Sequence, residues 1–173
     1  MKTIEQYIET EMDGKIGRKR NSPLSALLVL AVGIGMWILL CTTRLSDSMS
    51  TACLTVGMIT TALGLVLTAM HLSGAMTHFV YLPTHSRMRE KRVYVSGADY
   101  KDLVEAIDSG NYESLATMRP VVSSNSAIRL LVSCDGECAL VQAVRDEGGR
   151  FELDTEVGLT TGPSAAGLLH LIK

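Results

Sequence analysis

Two long apolar runs interrupt an otherwise mixed chain. Residues 23–42 read PLSALLVLAVGIGMWILLCT, and no Asp, Glu, Lys or Arg lies between Asn21 and Thr43. Residues 49–72 read MSTACLTVGMITTALGLVLTAMHL, and the same four residue types are missing from Ser48 to Ser86. At ~1.5 Å per residue, about twenty helical residues cross a hydrocarbon core of ~30 Å. The pattern therefore predicts transmembrane helices over residues 23–43 and 49–72, joined by a short external loop over 44–48. Pro23 suits a first helical turn, where a missing N–H costs nothing. Continuing the second helix to Leu82 would make it too long for the bilayer core. An exit near His71, or a bend at Ser73-Gly74, follows. Residues 73–92 then read as an interfacial segment, with Phe79 and Tyr81 at headgroup level, running into a basic linker.

The second span carries a seam of small or polar positions. Gly57, Thr61, Gly64, Thr68, His71, Ala75 and His78 follow one another at intervals of four and three. That spacing puts them on one helix face, where small residues let a neighbouring helix approach closely. The first span offers Ala31 and Gly35 as a weaker counterpart. The occupant of the seam is either the other half of the hairpin, or a partner or second copy of the chain, the last of which would make a homo-oligomer. His71, His78 and His85 recur every seven residues, about 10 Å apart on a helix, too far to share one metal ion.

The flanking regions show different periods. In residues 1–20, Ile4, Tyr7, Ile8, Met12 and Ile16 recur at helical spacing ahead of a basic Arg18-Lys19-Arg20 lead. This predicts a short amphipathic helix lying on the membrane or on the C-terminal domain. Residues 93–173 read as a small cytoplasmic α+β domain. Leu103, Val104 and Ile107 make a helical stripe that stops at Gly110, and Tyr112, Leu115 and Met118 share a second helical face. Ile128, Leu130, Val132 and Cys134 alternate as a strand up to the Asp135-Gly136 turn signal. A second strand covers 138–145. A third alternates Phe151, Leu153, Thr155 and Val157 against Glu152, Asp154 and Glu156. Gly162-Pro163 opens a last helix. The expected fold is an α+β membrane protein: a two-span helical hairpin, then a three-stranded antiparallel meander with about three helices.

Charge sets orientation and excludes some partners. The chain has 173 residues, 47% of them hydrophobic, and a formal net charge of −2. Lys15, Arg18, Lys19 and Arg20 precede the first span, and Arg87, Arg89, Lys91 and Arg92 follow the second. The loop between the spans offers only Arg44. The positive-inside rule then predicts an integral protein of the plasma (inner) membrane with both termini cytoplasmic. Residues 93–173 carry six basic against twelve acidic side chains, a formal −6, which makes nucleic acid a poor partner.

Chemistry is sparse. Cys134 and Cys138 flank Asp-Gly-Glu and form a candidate redox pair, but C-x₃-C misses the usual zinc and redox spacings, and a reducing cytoplasm keeps thiols free. Gly162 and Ser164 fit helix capping better than a phosphate loop. No cofactor or metal site is expected. The acidic row Glu152, Asp154 and Glu156 is the expected docking surface for an unknown protein partner. The sequence thus points to a membrane-anchored interaction module, an accessory subunit or sensor adaptor. The alternatives are a membrane-tethered enzyme or redox switch using Cys134/Cys138 or His170, and an oligomeric transport subunit.

Overall fold

The computed structural model describes residues 1–172. Its elements, in chain order, are α1 (Ile4–Glu11), β1 (Ile16–Arg20), α2 (Leu24–Thr42), α3 (Asp47–Leu72), β2 (Thr77–Tyr81) and β3 (Ser86–Tyr94). Then come α4 (Tyr100–Asp108), α5 (Tyr112–Ala116), β4 (Ser126–Ser133), β5 (Cys138–Glu147), β6 (Arg150–Leu153), β7 (Gly158–Thr161) and α6 (Pro163–Gly167). A 3-10 helix over Leu168–Leu171 closes the series. Two compact units result: Met1–Arg18 together with His78–Lys173, and Lys19–Thr77.

The first unit is built on a seven-stranded sheet in the order β1-β2-β3-β4-β5-β6, with β7 also pairing β5. The β3–β4 register runs from Met88↔Ser133 to Tyr94↔Ala127, and the β4–β5 register from Ser126↔Arg145 to Val132↔Ala139, both antiparallel. The sheet curls enough to bring the guanidinium of Arg92 on β3 within 3.7 Å of the Phe151 ring centroid on β6, three strands away.

Both faces of the sheet are covered, because its central strands are apolar on both. Strand residues alternate between faces. One set, Ile128, Leu130 and Val132 of β4 with Ala139, Val141 and Ala143 of β5, is buried against Leu103, Ile107, Leu115, Leu168 and Leu171 from the helices. The opposite set, Leu131, Cys138 and Leu140 with Met88 of β3, is buried against Ile4, Ile8, Met12 and Ile16. The amphipathic N-terminal helix therefore packs on the sheet. It starts with a capping box, in which Gln6 N–H donates to Thr3 Oγ1 at 3.3 Å and Thr3 N–H donates to Gln6 Oε1 at 3.0 Å. Gln142, wholly buried in β5, donates from Nε2 to the Lys2 carbonyl at 2.8 Å and to the Thr155 carbonyl at 3.2 Å.

The expected three-stranded meander with about three helices is wrong: the described residues form seven strands and six α-helices. Four local misreadings explain the difference, the first being β1, which lies where the N-terminal helix and its basic lead were expected. The stretch expected as an interfacial segment holds β2, whose Val80 is buried. The basic linker is β3, a nine-residue strand in which only Met88 and Val93 are fully buried, so charged positions mask its period. The single strand expected over residues 150–157 is two. β6 pairs the far half of β5 (Val144–Glu147), and β7 pairs its near half (Cys138–Val141). Between them Asp154 N–H donates to the Ala143 carbonyl at 3.1 Å, and Thr155 Oγ1 accepts from Ala143 N–H at 3.0 Å. Thr155 and Val157 are buried, while Phe151 stays exposed at 36%.

The second unit is a helical hairpin. Both helices are long and apolar enough to cross a membrane, and only 11% of each apolar window is buried inside the protein. Leu27, Leu28, Val32, Ile34 and Ile38 of α2 and Leu54, Met58, Ile59, Leu65 and Val66 of α3 all face outward. The core helix of a water-soluble protein would hide these side chains. Topologically the hairpin is an insertion between β1 and β2, which are neighbours in the sheet although more than fifty residues separate them in sequence.

Candidate functional site

The small-residue seam packs helix against helix within the hairpin. Gly57 and Gly64 are the buried residues of α3, and Ala26 and Gly33 those of α2. A Cβ built on Gly64 would stand 2.7 Å from Leu30 Cα and 2.8 Å from Leu30 N, and one on Gly33 would collide with Thr61 Oγ1 and stand 2.7 Å from Thr61 N. A Cβ on Gly57 would meet Met36 Cβ at 3.2 Å. The backbones touch because these side chains are missing. Thr68 Oγ1 donates within α3 to the Gly64 carbonyl at 2.7 Å. His71 lies in the last turn, and Ala75 lies beyond the helix end, exposed. On α2 the matching positions are not Ala31 and Gly35: Ala31 is exposed, and a Cβ on Gly35 would meet open space.

The acidic row is divided. Asp154 accepts a hydrogen bond from Tyr100 Oη at 2.6 Å and an ion pair from Arg145 at 3.1 Å. Burial, reinforced by the hydrogen bond and charge of Asp154, raises the Tyr100 hydroxyl pKa, so Tyr100 is a constant donor. Glu152 is exposed, and Glu156 is open to solvent with the N-terminal amine 4.0 Å away. Asp154 thus fastens β6 to α4 and β5, while Glu152 and Glu156 remain outward.

The two cysteines differ. Cys134 is exposed and Cys138 buried, and neither is in a disulfide. Burial pushes the Cys138 thiol up to about 11, with the nearby Asp135 carboxylate adding to the rise. Their connecting turn is held by Cys138 N–H donating to Ser133 Oγ at 3.0 Å and by Gly136 at φ 78°. A Cβ on Gly136 would stand 3.0 Å from Ala166 Cα, so the turn lies against α6. His170 Nδ1 is 2.7 Å from the carbonyl of Gly167, the last residue of α6. Among the described residues no group of three His, Cys, Asp or Glu side chains could hold a metal ion.

A feature missed by the sequence reading lies on β3. Arg89 pairs with Val132 and Lys91 with Leu130, and both partners belong to the helix-covered core, so both cations emerge on that face. Arg87, two residues back, alternates onto the same face. All three are exposed, and none takes part in an ion pair among the described residues. Arg129 contrasts with them: it is clamped by Glu5 and Glu90, each at 2.6 Å. Beside the basic row a cavity of about 260 Å³ is lined by Arg89, Val132, Cys134, Leu169 and Ile172. The R-x-R-x-K alternation was the available signal, hidden by reading the stretch as a linker.

Neither family models, nor curated proteins, nor solved structures offer a match. A second cavity, about 350 Å³, lies between the α4–α5 turn and residues 156–159, with Asp108, Tyr112 and Glu156 in its wall.

Proposed function

We propose that this chain is a membrane-anchored protein-interaction module, an accessory subunit or sensor adaptor. Its hairpin lies in the plasma (inner) membrane and both termini lie in the cytoplasm. One observation carries the reading: two helices turn their large apolar side chains outward along their whole length. Water does not tolerate such a surface on a monomer, and hydrocarbon does. The orientation follows from the cations, four within ten residues before α2 and four soon after α3, against one in the connecting loop.

Partner binding is assigned to the outward acidic side chains Glu152 and Glu156, with Asp154 holding the strand that presents them. Like charges there favour a basic partner and make association salt-sensitive. The redox alternative gains little support from Cys138, which stays protonated and shielded at neutral pH.

The test places a photo-crosslinker at position 152 of the full chain in its native membrane. A discrete crosslinked partner, lost on Glu156→Lys or in high salt, supports the assignment. Crosslinks to lipid alone, or a product indifferent to both changes, contradict it.

A further inference from the structure

We propose that the groove beside β3 binds the headgroup of an anionic phospholipid, with Arg87, Arg89 and Lys91 on the phosphate and Val132, Leu169 and Ile172 against the first methylenes of the acyl chains. This goes beyond the interaction-module reading and rests only on its membrane part.

Three observations converge. Alternation along β3 aims three cations at one side of the sheet, the side that the helices cover over β4 and β5. Among the described residues these cations have no carboxylate partners, although residues 93–173 carry a formal −6 that could have supplied them. Arg89, the middle cation of the row, lines the groove, and the apolar part of the lining is Val132 from β4, Leu169 from the 3-10 helix and Ile172 just after it. A free inorganic anion uses only the first half of such a site. An anionic amphiphile uses both, since its phosphate takes charge-assisted hydrogen bonds while its glycerol and first methylenes cover apolar surface. The volume, about 260 Å³, is below the ~300–1,000 Å³ of pockets for drug-sized ligands, so recognition is confined to the head and the start of the tails. The groove also has a built-in reporter. Cys134 is exposed at its wall, and the turn carrying it is fixed against α6 by Gly136.

The experiment uses the full chain in a neutral detergent, titrated with dihexanoyl phosphatidylglycerol, dihexanoyl phosphatidylcholine or inorganic phosphate. Two signals are followed: saturable binding and the rate of maleimide attack on Cys134. Phosphatidylglycerol is expected to saturate and to slow alkylation of Cys134 at least fivefold. Phosphatidylcholine should bind at least tenfold more weakly, and phosphate at the same concentration should not compete. The Arg89→Gln/Lys91→Gln pair should lose at least tenfold in affinity with its melting temperature unchanged, and Ile172→Glu should lose a similar factor without removing any cation. Equal binding of the two lipids, full displacement by phosphate, or unchanged binding by both variants would overturn the proposal. Failure here leaves crosslinking from position 152 untouched, so the two readings fall separately.

Discussion

A glycine can matter for what it omits. At Gly64 an added Cβ would enter the Leu30 backbone, and at Gly33 the Thr61 backbone. Gly64→Leu is expected to cost about 1–3 kcal/mol of hairpin packing, as overpacking commonly does. Leu65→Phe, on an outward side chain, should cost almost nothing. Thermal unfolding of the purified chain in detergent compares them, and equal small effects would refute the seam. On α3 the seam was legible because Gly57, Thr61 and Gly64 keep a strict spacing. On α2 the choice between Gly33 and Gly35 was not, since a Gly-x-Gly pair offers two faces and only the register against Thr61 selects one. Charge shows a second residue-scale effect. Burial works against the Glu5 carboxylate, but the Arg129 hydrogen bonds and charge outweigh it and hold its pKa below 4.5. A depressed carboxylate stabilises the fold above its unfolded value, and that contribution is lost as pH falls through the folded one. Glu5→Gln should therefore cost roughly 0.5–1 kcal/mol at neutral pH, modest because the pair is partly exposed. The difference from wild type should begin to shrink near pH 4.5 and vanish once pH is below the depressed folded value. A gap that persists in acid would mean the ion pair is not its source.

Elements were read well where one period was clean and poorly where charge masked it. The helical stripe from Leu103 to Ile107 and the alternation from Ile128 to Val132 each correspond to one element of the structure. β3 hid because its exposed positions, arginines and lysine among them, sit between only two fully buried residues, and β1 reads IGRKR with no period at all. Residues 150–157 alternate well enough for one strand, yet Thr155 turns its hydroxyl into the β5 ladder and splits the run in two. α1 is tied to the sheet by Ile4 and Ile8, 2% and 5% exposed. Ile8→Ala should cost about 2–4 kcal/mol by opening a cavity between helix and sheet. Chemical denaturation with the hairpin held in micelles measures it, and a loss below about 0.5 kcal/mol would show that α1 does not cap this core. The β4–β5 turn offers a sharper contrast. Cys134 should react with maleimide at neutral pH at least a hundredfold faster than Cys138, which is buried and has its thiol raised to about 11. Comparable rates would mean the turn opens readily.

At the scale of the whole molecule, hydropathy located both apolar runs but could not say what they interrupt. The folded unit draws on both ends of the chain, with Met1–Arg18 joining His78–Lys173. Pairing β1 with β2 across the intervening hairpin is a non-local contact, which leaves no local pattern in either strand. The strands that enter and leave the hairpin are neighbours in one sheet. The central claim is that this hairpin crosses the membrane while the sheet unit stays inside. It is tested most directly with a membrane-impermeant maleimide on intact cells. The protein would carry Ser46→Cys in the α2–α3 loop, with Cys41 and Cys53 replaced by Ala and Cys134 retained. The loop cysteine should label in intact cells, and Cys134 only after the membrane is permeabilised. Labelling of Cys134 in intact cells, with position 46 protected, would contradict the account.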